Sequence, residues 1–176
     1  MKPTLLLPVV LVFAACEQAK QPTDGSQLLP AGDLTTDAAS SGQIIQVVSG
    51  SGNFTAGGEL RTFSFTAERS ADGSIRGQWE RFTRVIDARS HGSVTCLTVK
   101  ADTAWLGGLT ETTNSFGGEV GWFVIDHGQG AGAPPDQISA QFVDGEPGSA
   151  AEFCATTPHE DFPIRDVEEG NIQILP

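Results

Sequence analysis

The sequence predicts an all-β domain, a single antiparallel β-sandwich or barrel of about eight to ten strands behind a disordered tether. Three observations predict it. Large apolar residues recur with a period of two, as in Phe63 and Phe65, whereas no stretch carries a convincing period of 3.6. Short polar connections such as Asp72-Gly73 and Lys100-Ala101-Asp102 separate the apolar runs, and connections this short suit antiparallel neighbours, because parallel strands need long crossovers. Residues 16–41 hold few large apolar side chains, only Leu28, Leu29 and Leu34, too few to offset the entropy of ordering.

The elements follow in order. Residues 43–48 form the first strand candidate, and 60–68 the second, with Phe63 and Phe65 on one face. Asp72-Gly73 then turns the chain into 74–83, which aligns Ile75 with Trp79. Residues 93–99 and 104–110 flank the next turn. Residues 120–125 group Trp122 with Val120 and Val124, 137–143 aligns Ile138, Ala140 and Phe142, and 171–175 ends the domain. Residues 85–88 and 151–154 are minor strand candidates. Glycines inside strands, Gly77, Gly107, Gly108 and Gly121, predict bulges or the close approach of another backbone. Sandwich and barrel both accommodate this pattern, with the sandwich slightly favoured.

The N-terminus carries an address. Lys2 precedes an apolar run from Leu5 to Val12, interrupted by Pro8 and far short of the roughly 20 residues that cross a bilayer. The segment Val12-Phe13-Ala14-Ala15-Cys16 resembles a bacterial lipoprotein signal, with Phe13 where that family usually has an aliphatic residue. The resemblance implies cleavage before Cys16, a diacylglycerol on its sulfur, and a protein held on the membrane in the cell envelope outside the cytoplasm. Glu17, in place of the inner-membrane retention Asp, favours the outer membrane where the host has one. Ordinary secretion with cleavage near Ala15 is the alternative. The expected division is a signal peptide at 1–15, a lipidated N-terminus and linker at 16–41, and a β domain at 42–176, the linker spanning about 25 to 30 Å.

Charge narrows the partners. Removing residues 1–15 takes Lys2 from the ten basic residues and leaves nine Lys and Arg against 22 Asp and Glu, net −13. Such a surface repels phosphate backbones, which argues against nucleic acid.

Several further stretches carry a second resemblance: Gly52-Asn53-Phe54-Thr55, residues 57–65, Asp72-Gly73-Ser74 with Gly77-Gln78-Trp79, residues 91–97, Trp105-Leu106-Gly107-Gly108, and residues 126–139. Over residues 47–175 the chain resembles an uncharacterised family of small secreted bacterial β-rich proteins, which brings no activity with it. Cys96 and Cys154 fall where that family also has cysteines. With Cys16 given to lipid they are the remaining pair, and oxidising conditions outside the cytoplasm favour a disulfide over a reactive thiol or half a metal site.

Catalytic signatures are missing: no nucleophile elbow and no phosphate-binding loop occurs. His91, His127 and His159 match no zinc spacing, even with Asp126 or Asp161 added. The glycine-rich loop from Asp126 to Asp136 is the best candidate for an ion or ligand, with Asp126, Asp136 and His91 as its residues and calcium as the possible ion; a rigid connection whose Asp side chains bond local amides is the simpler reading. Trp79, Trp105 and Trp122 could form a sugar platform or line an apolar cavity, but filling a β core is the simpler reading, since Trp79 alternates with Ile75 and Trp122 with Val120 and Val124. The expectation is a lipid-anchored, noncatalytic binding or structural module whose partner is an envelope polysaccharide, a small ligand or a protein. The alternative is an extracytoplasmic enzyme acting on saccharides or lipids with acids from the 126–136 loop.

Overall fold

The computed structural model describes residues 42–111, 118–144 and 146–176. The expected signal segment, Cys16 and the tether lie outside the described residues.

Successive hairpins build the sheet. β1 (Ile44–Ala56), β2 (Glu59–Ser70), β3 (Ile75–Thr83), β4 (Ala88–Lys100), β5 (Thr103–Thr110) and β6 (Glu119–Ile125) each pair antiparallel with the next. β7 (Gln137–Ser139) and β8 (Phe142–Asp144) both pair with β6, β9 (Ile164–Asp166) pairs with β7, and β10 (Glu169–Leu175) returns to β1. The order β10-β1-β2-β3-β4-β5-β6-β7-β9 forms one sheet. The domain is therefore all-β and antiparallel, as its sequence predicts.

That sheet is curled. Phe65 in β2 and Trp122 in β6 stand four strands apart in the order, about 19 Å in a flat sheet, yet their ring centroids are 6.0 Å apart. A single sheet wrapped around one core replaces the two stacked sheets of the slightly favoured sandwich. Val48, Phe54, Phe63, Phe65, Trp79, Leu106, Trp122 and Ile172 all point into this interior. The ends of the order meet because β9 and β10 are consecutive in the chain. Between them Val167 N–H donates to the Asp136 carbonyl at 2.8 Å and Glu168 N–H to the Asn53 carbonyl at 2.9 Å.

A helix sits outside the sheet where residues 151–154 suggested a strand. α1 (Ser149–Thr156) buries Ala150, Phe153 and Cys154, the i, i+3, i+4 face of an alanine-rich segment. The Glu119 carboxylate from β6 accepts from the N–H groups of Gly148 at 2.8 Å and Ala150 at 2.6 Å, satisfying donors that the first turn leaves free. Residues 85–88 are corrected too. Arg84–Ile86 is a 3-10 turn closed by Asp87, whose φ of 49° is left-handed, so Val85 and Ile86 lie exposed in a connection.

The predicted strand 137–143 breaks into β7 and β8. Ser139 Oγ accepts the Phe123 N–H at 2.9 Å and donates to the Ala140 carbonyl at 3.0 Å, while Ala140 N–H turns to the Pro163 carbonyl. The break separates Ile138, in the interior, from Phe142, which joins Trp105, Phe123, Phe153 and Phe162 under α1 on the outer face. The expected shared face of Ile138 and Phe142 is lost with it.

A bulge aims the disulfide. Pairing with β5 shifts register between Val94 and Cys96, so Val94 and Leu97 both face the interior and Cys96 turns outward to α1. Without the extra residue Cys96 would share the face of Val94. Cys96 and Cys154 are bonded, joining β4 to α1. Gly107 makes the fit possible: a Cβ there would lie 2.6 Å from Cys96 Sγ and 2.9 Å from the Ala150 carbonyl.

Candidate functional site

The interior is not completely filled. Between β1–β3 on one side and the β7–β9 segment on the other lies a cavity of about 100 Å³. Phe54, Phe63, Phe65, Trp79, Trp122 and Ile138 give it apolar walls. Alternation explains them, since Phe63 and Phe65 in β2 and Trp79 in β3 occupy inward positions two residues apart from one another or from other core residues.

The same alternation carries arginine inward. Arg61 precedes Phe63 by two residues and Arg81 follows Trp79 by two, so both fall on the interior face at one end of the sheet, where they line the cavity with Arg165 of β9. Burial first, and the neighbouring Arg61 charge second, push the Arg81 guanidinium below its ordinary value. Arg61 Nη2 stands 3.7 Å from a Glu59 carboxylate oxygen, and its Nε is buried without a hydrogen-bond partner. No carboxylate among the described residues pairs with Arg81. Gln141 Oε1, also in the lining, is buried and lacks a donor. Arg61, Arg81, Arg165 and Gln141 stand outside the sequence expectations. The signal was there, as charged residues at inward positions of a period-two pattern.

The 126–136 loop serves the sheet. Asp126 Oδ1 accepts from Gly128 N–H at 2.7 Å and its Oδ2 from Ile174 N–H at 2.9 Å; Asp136 Oδ1 accepts from His127 N–H at 2.9 Å and its Oδ2 from Ile172 N–H at 2.7 Å. Each carboxylate thus bonds one amide of its own loop and one amide on the edge of β10 that β1 leaves open. Charge-assisted bonds of this kind stand in for a missing strand neighbour. All four carboxylate oxygens are engaged with backbone amides. Among the described residues no three His, Cys, Asp or Glu side chains group as a metal site.

His91 lies elsewhere. On β4 it faces outward, four strands from β10 and about 19 Å away along the sheet. It helps line an open groove of about 540 Å³ that crosses the outer face past Glu80, Ser64, Ser51 and Asn171, consecutive cross-strand partners in the register. His127 Nδ1 approaches the Pro135 carbonyl at 2.6 Å, and His159 stacks on Phe123 with centroids 4.8 Å apart. The three tryptophans divide between two faces. Trp79 and Trp122 border the interior cavity, whereas Trp105 packs with Phe123 beneath α1 and donates Nε1–H to the Pro158 carbonyl at 2.8 Å.

No family model, curated protein or solved structure matches this chain.

Proposed function

We propose that this protein is a lipid-anchored, extracytoplasmic and noncatalytic binding module whose β domain takes a small ligand into the interior of its curled sheet. The observation that carries the reading is the cavity of about 100 Å³: apolar walls with a few polar groups at one end are the make-up of a small-ligand site, here on the scale of a very small ligand. The enzymatic alternative has less support, because the acids of the 126–136 loop are committed to backbone amides and His91 lies across the sheet from them. The anchor rests on the signal-like segment ending in Cys16 and the resemblance to secreted bacterial proteins.

Two measurements test the two halves of the proposal. Metabolic labelling with a fatty-acid analogue marks the wild type and not Cys16→Ala; label retained in the variant overturns the anchor. Calorimetric titration with benzamide, a neutral single ring, gives saturable binding that Ala140→Phe blocks by filling the cavity. Undiminished binding to a folded Ala140→Phe variant refutes the interior site.

A second reading draws on the outer groove, whose Ser, Thr, Gln and Asn side chains can bond the hydroxyls of an envelope polysaccharide. Its test is a Ser51→Arg substitution, which weakens polysaccharide retention without changing benzamide binding if the groove is the contact.

A further inference from the structure

Three arginines, Arg61, Arg81 and Arg165, line the interior cavity. The chain has ten Lys and Arg against 22 Asp and Glu, yet three of the ten arrive at one cavity. A guanidinium half-buried among aromatic rings is costly unless an acceptor pairs with it. Here the protein supplies little. Glu59 reaches only Arg61, at 3.7 Å, and Glu80, although part of the lining, directs its Oε1 to Arg89 at 3.5 Å. Arg61 and Arg81 also repel one another, and Arg61 Nε has no acceptor. A core built for stability alone would place aliphatic residues at these positions, as it does at Val94 and Leu97.

We propose that the cavity binds a small organic carboxylate, its apolar ring or short chain against Trp79 and Trp122 and its carboxylate held by Arg61 and Arg81. The inference rests on the interior binding reading and assigns its ligand class. Size and charge both constrain that class. An apolar cavity of about 150 Å³ takes up benzene, so about 100 Å³ suits a chain of a few carbons, or a ring seated part-way with its head group outside the apolar walls. The flat two-oxygen head matches the planar fork of a guanidinium, which bonds carboxylates bidentately. Arg165 adds positive charge to the same lining, and its Nη1 bonds the Ile164 carbonyl at 2.7 Å.

The test compares three ligands of one shape, benzoate, benzamide and benzamidine, titrated into the full chain. Benzoate binds about tenfold or more tighter than benzamide, benzamidine binds weakest, and the preference for benzoate shrinks as salt rises from about 50 to about 500 mM. Arg61→Gln and Arg81→Gln each weaken benzoate more than benzamide, so that the preference for benzoate is lost. Both variants keep or raise the unfolding temperature of the ligand-free protein, because an uncompensated charge is removed. Equal affinity for benzoate and benzamide in the wild type overturns the carboxylate assignment and leaves the apolar cavity standing. Binding of none of the three to the folded wild type overturns both. If one variant fails to fold, the other and the three-ligand comparison still decide.

Discussion

β5 and β6 bury both of their faces, whereas β1 and β2 bury one. Ala104, Leu106, Val120, Trp122 and Val124 point into the curl, while Trp105 and Phe123 on the opposite face pack under α1 with Phe153. In β2 the buried Phe63, Phe65 and Ala67 alternate with the exposed Ser64 and Thr66. The difference teaches where the molecule can vary. The doubly covered half is a scaffold stapled by Cys96–Cys154, and β1 to β3 supply most of the cavity wall, with Arg61 and Arg81.

The largest effect expected is on the outer face of the covered half. Phe123→Ala costs about 3–5 kcal/mol, read from the urea midpoint, whereas Ser64→Ala on the outer face of β2 changes stability by about 0.5 kcal/mol or less. Similar costs at the two positions break the distinction. Next comes the staple. Replacing Cys96 and Cys154 together by Ser costs about 2–4 kcal/mol, as expected for a sequence separation of 58 residues, and amide exchange quickens first in α1. Uniform quickening across β1 and β2 argues instead for one undivided unit.

A smaller effect is expected where the 126–136 loop bonds the open edge of β10. Asp136→Asn removes an acceptor from one of two backbone amides and costs about 1–3 kcal/mol, with faster exchange at Ile172 N–H or His127 N–H and no change in ligand binding. Lost binding at retained stability would tie the loop to the ligand. Smallest is the effect at the exposed β2–β3 turn. The Ser74 hydroxyl, and after it the Ser74 N–H, hold Asp72 below the usual carboxylate range. The stability this adds is complete above the ordinary aspartate value and disappears as pH falls through the lowered one. In Ser74→Ala an NMR titration finds Asp72 closer to its ordinary value; an unchanged titration denies the hydroxyl its part.

Legibility in the sequence followed the same division. Strands with one wet face alternate, so residues 60–68 and 74–83 were placed nearly where β2 and β3 lie, and Asp72-Gly73 marked their turn. β1 runs on to Ala56, past the predicted end at Val48, and Gly50 and Gly52 within it make room for Phe65 and Val167. Helix α1 escaped because eight residues give barely two turns of periodicity, and its cap, Glu119, comes from a distant strand. β9 is three residues long, too short to carry a pattern. Within the site, Trp79 and Trp122 were candidates from the outset, and Trp105 belongs to the other face because covering by α1 is a tertiary fact. Arg61 and Arg81 are harder to read from sequence, because a charged residue in an alternating strand is ordinarily a solvated one and only the curl of the sheet shows these two facing inward.

The three tryptophans also provide the most direct test of the central claim, that the interior of the curl is the binding site. In a nitrogen-labelled sample each gives an indole N–H signal, two from residues lining the cavity and one from beneath α1. Titration with benzoate shifts the Trp79 and Trp122 signals along a saturating curve and leaves Trp105 in place. Shifts at all three, or at Trp105 alone, contradict the account.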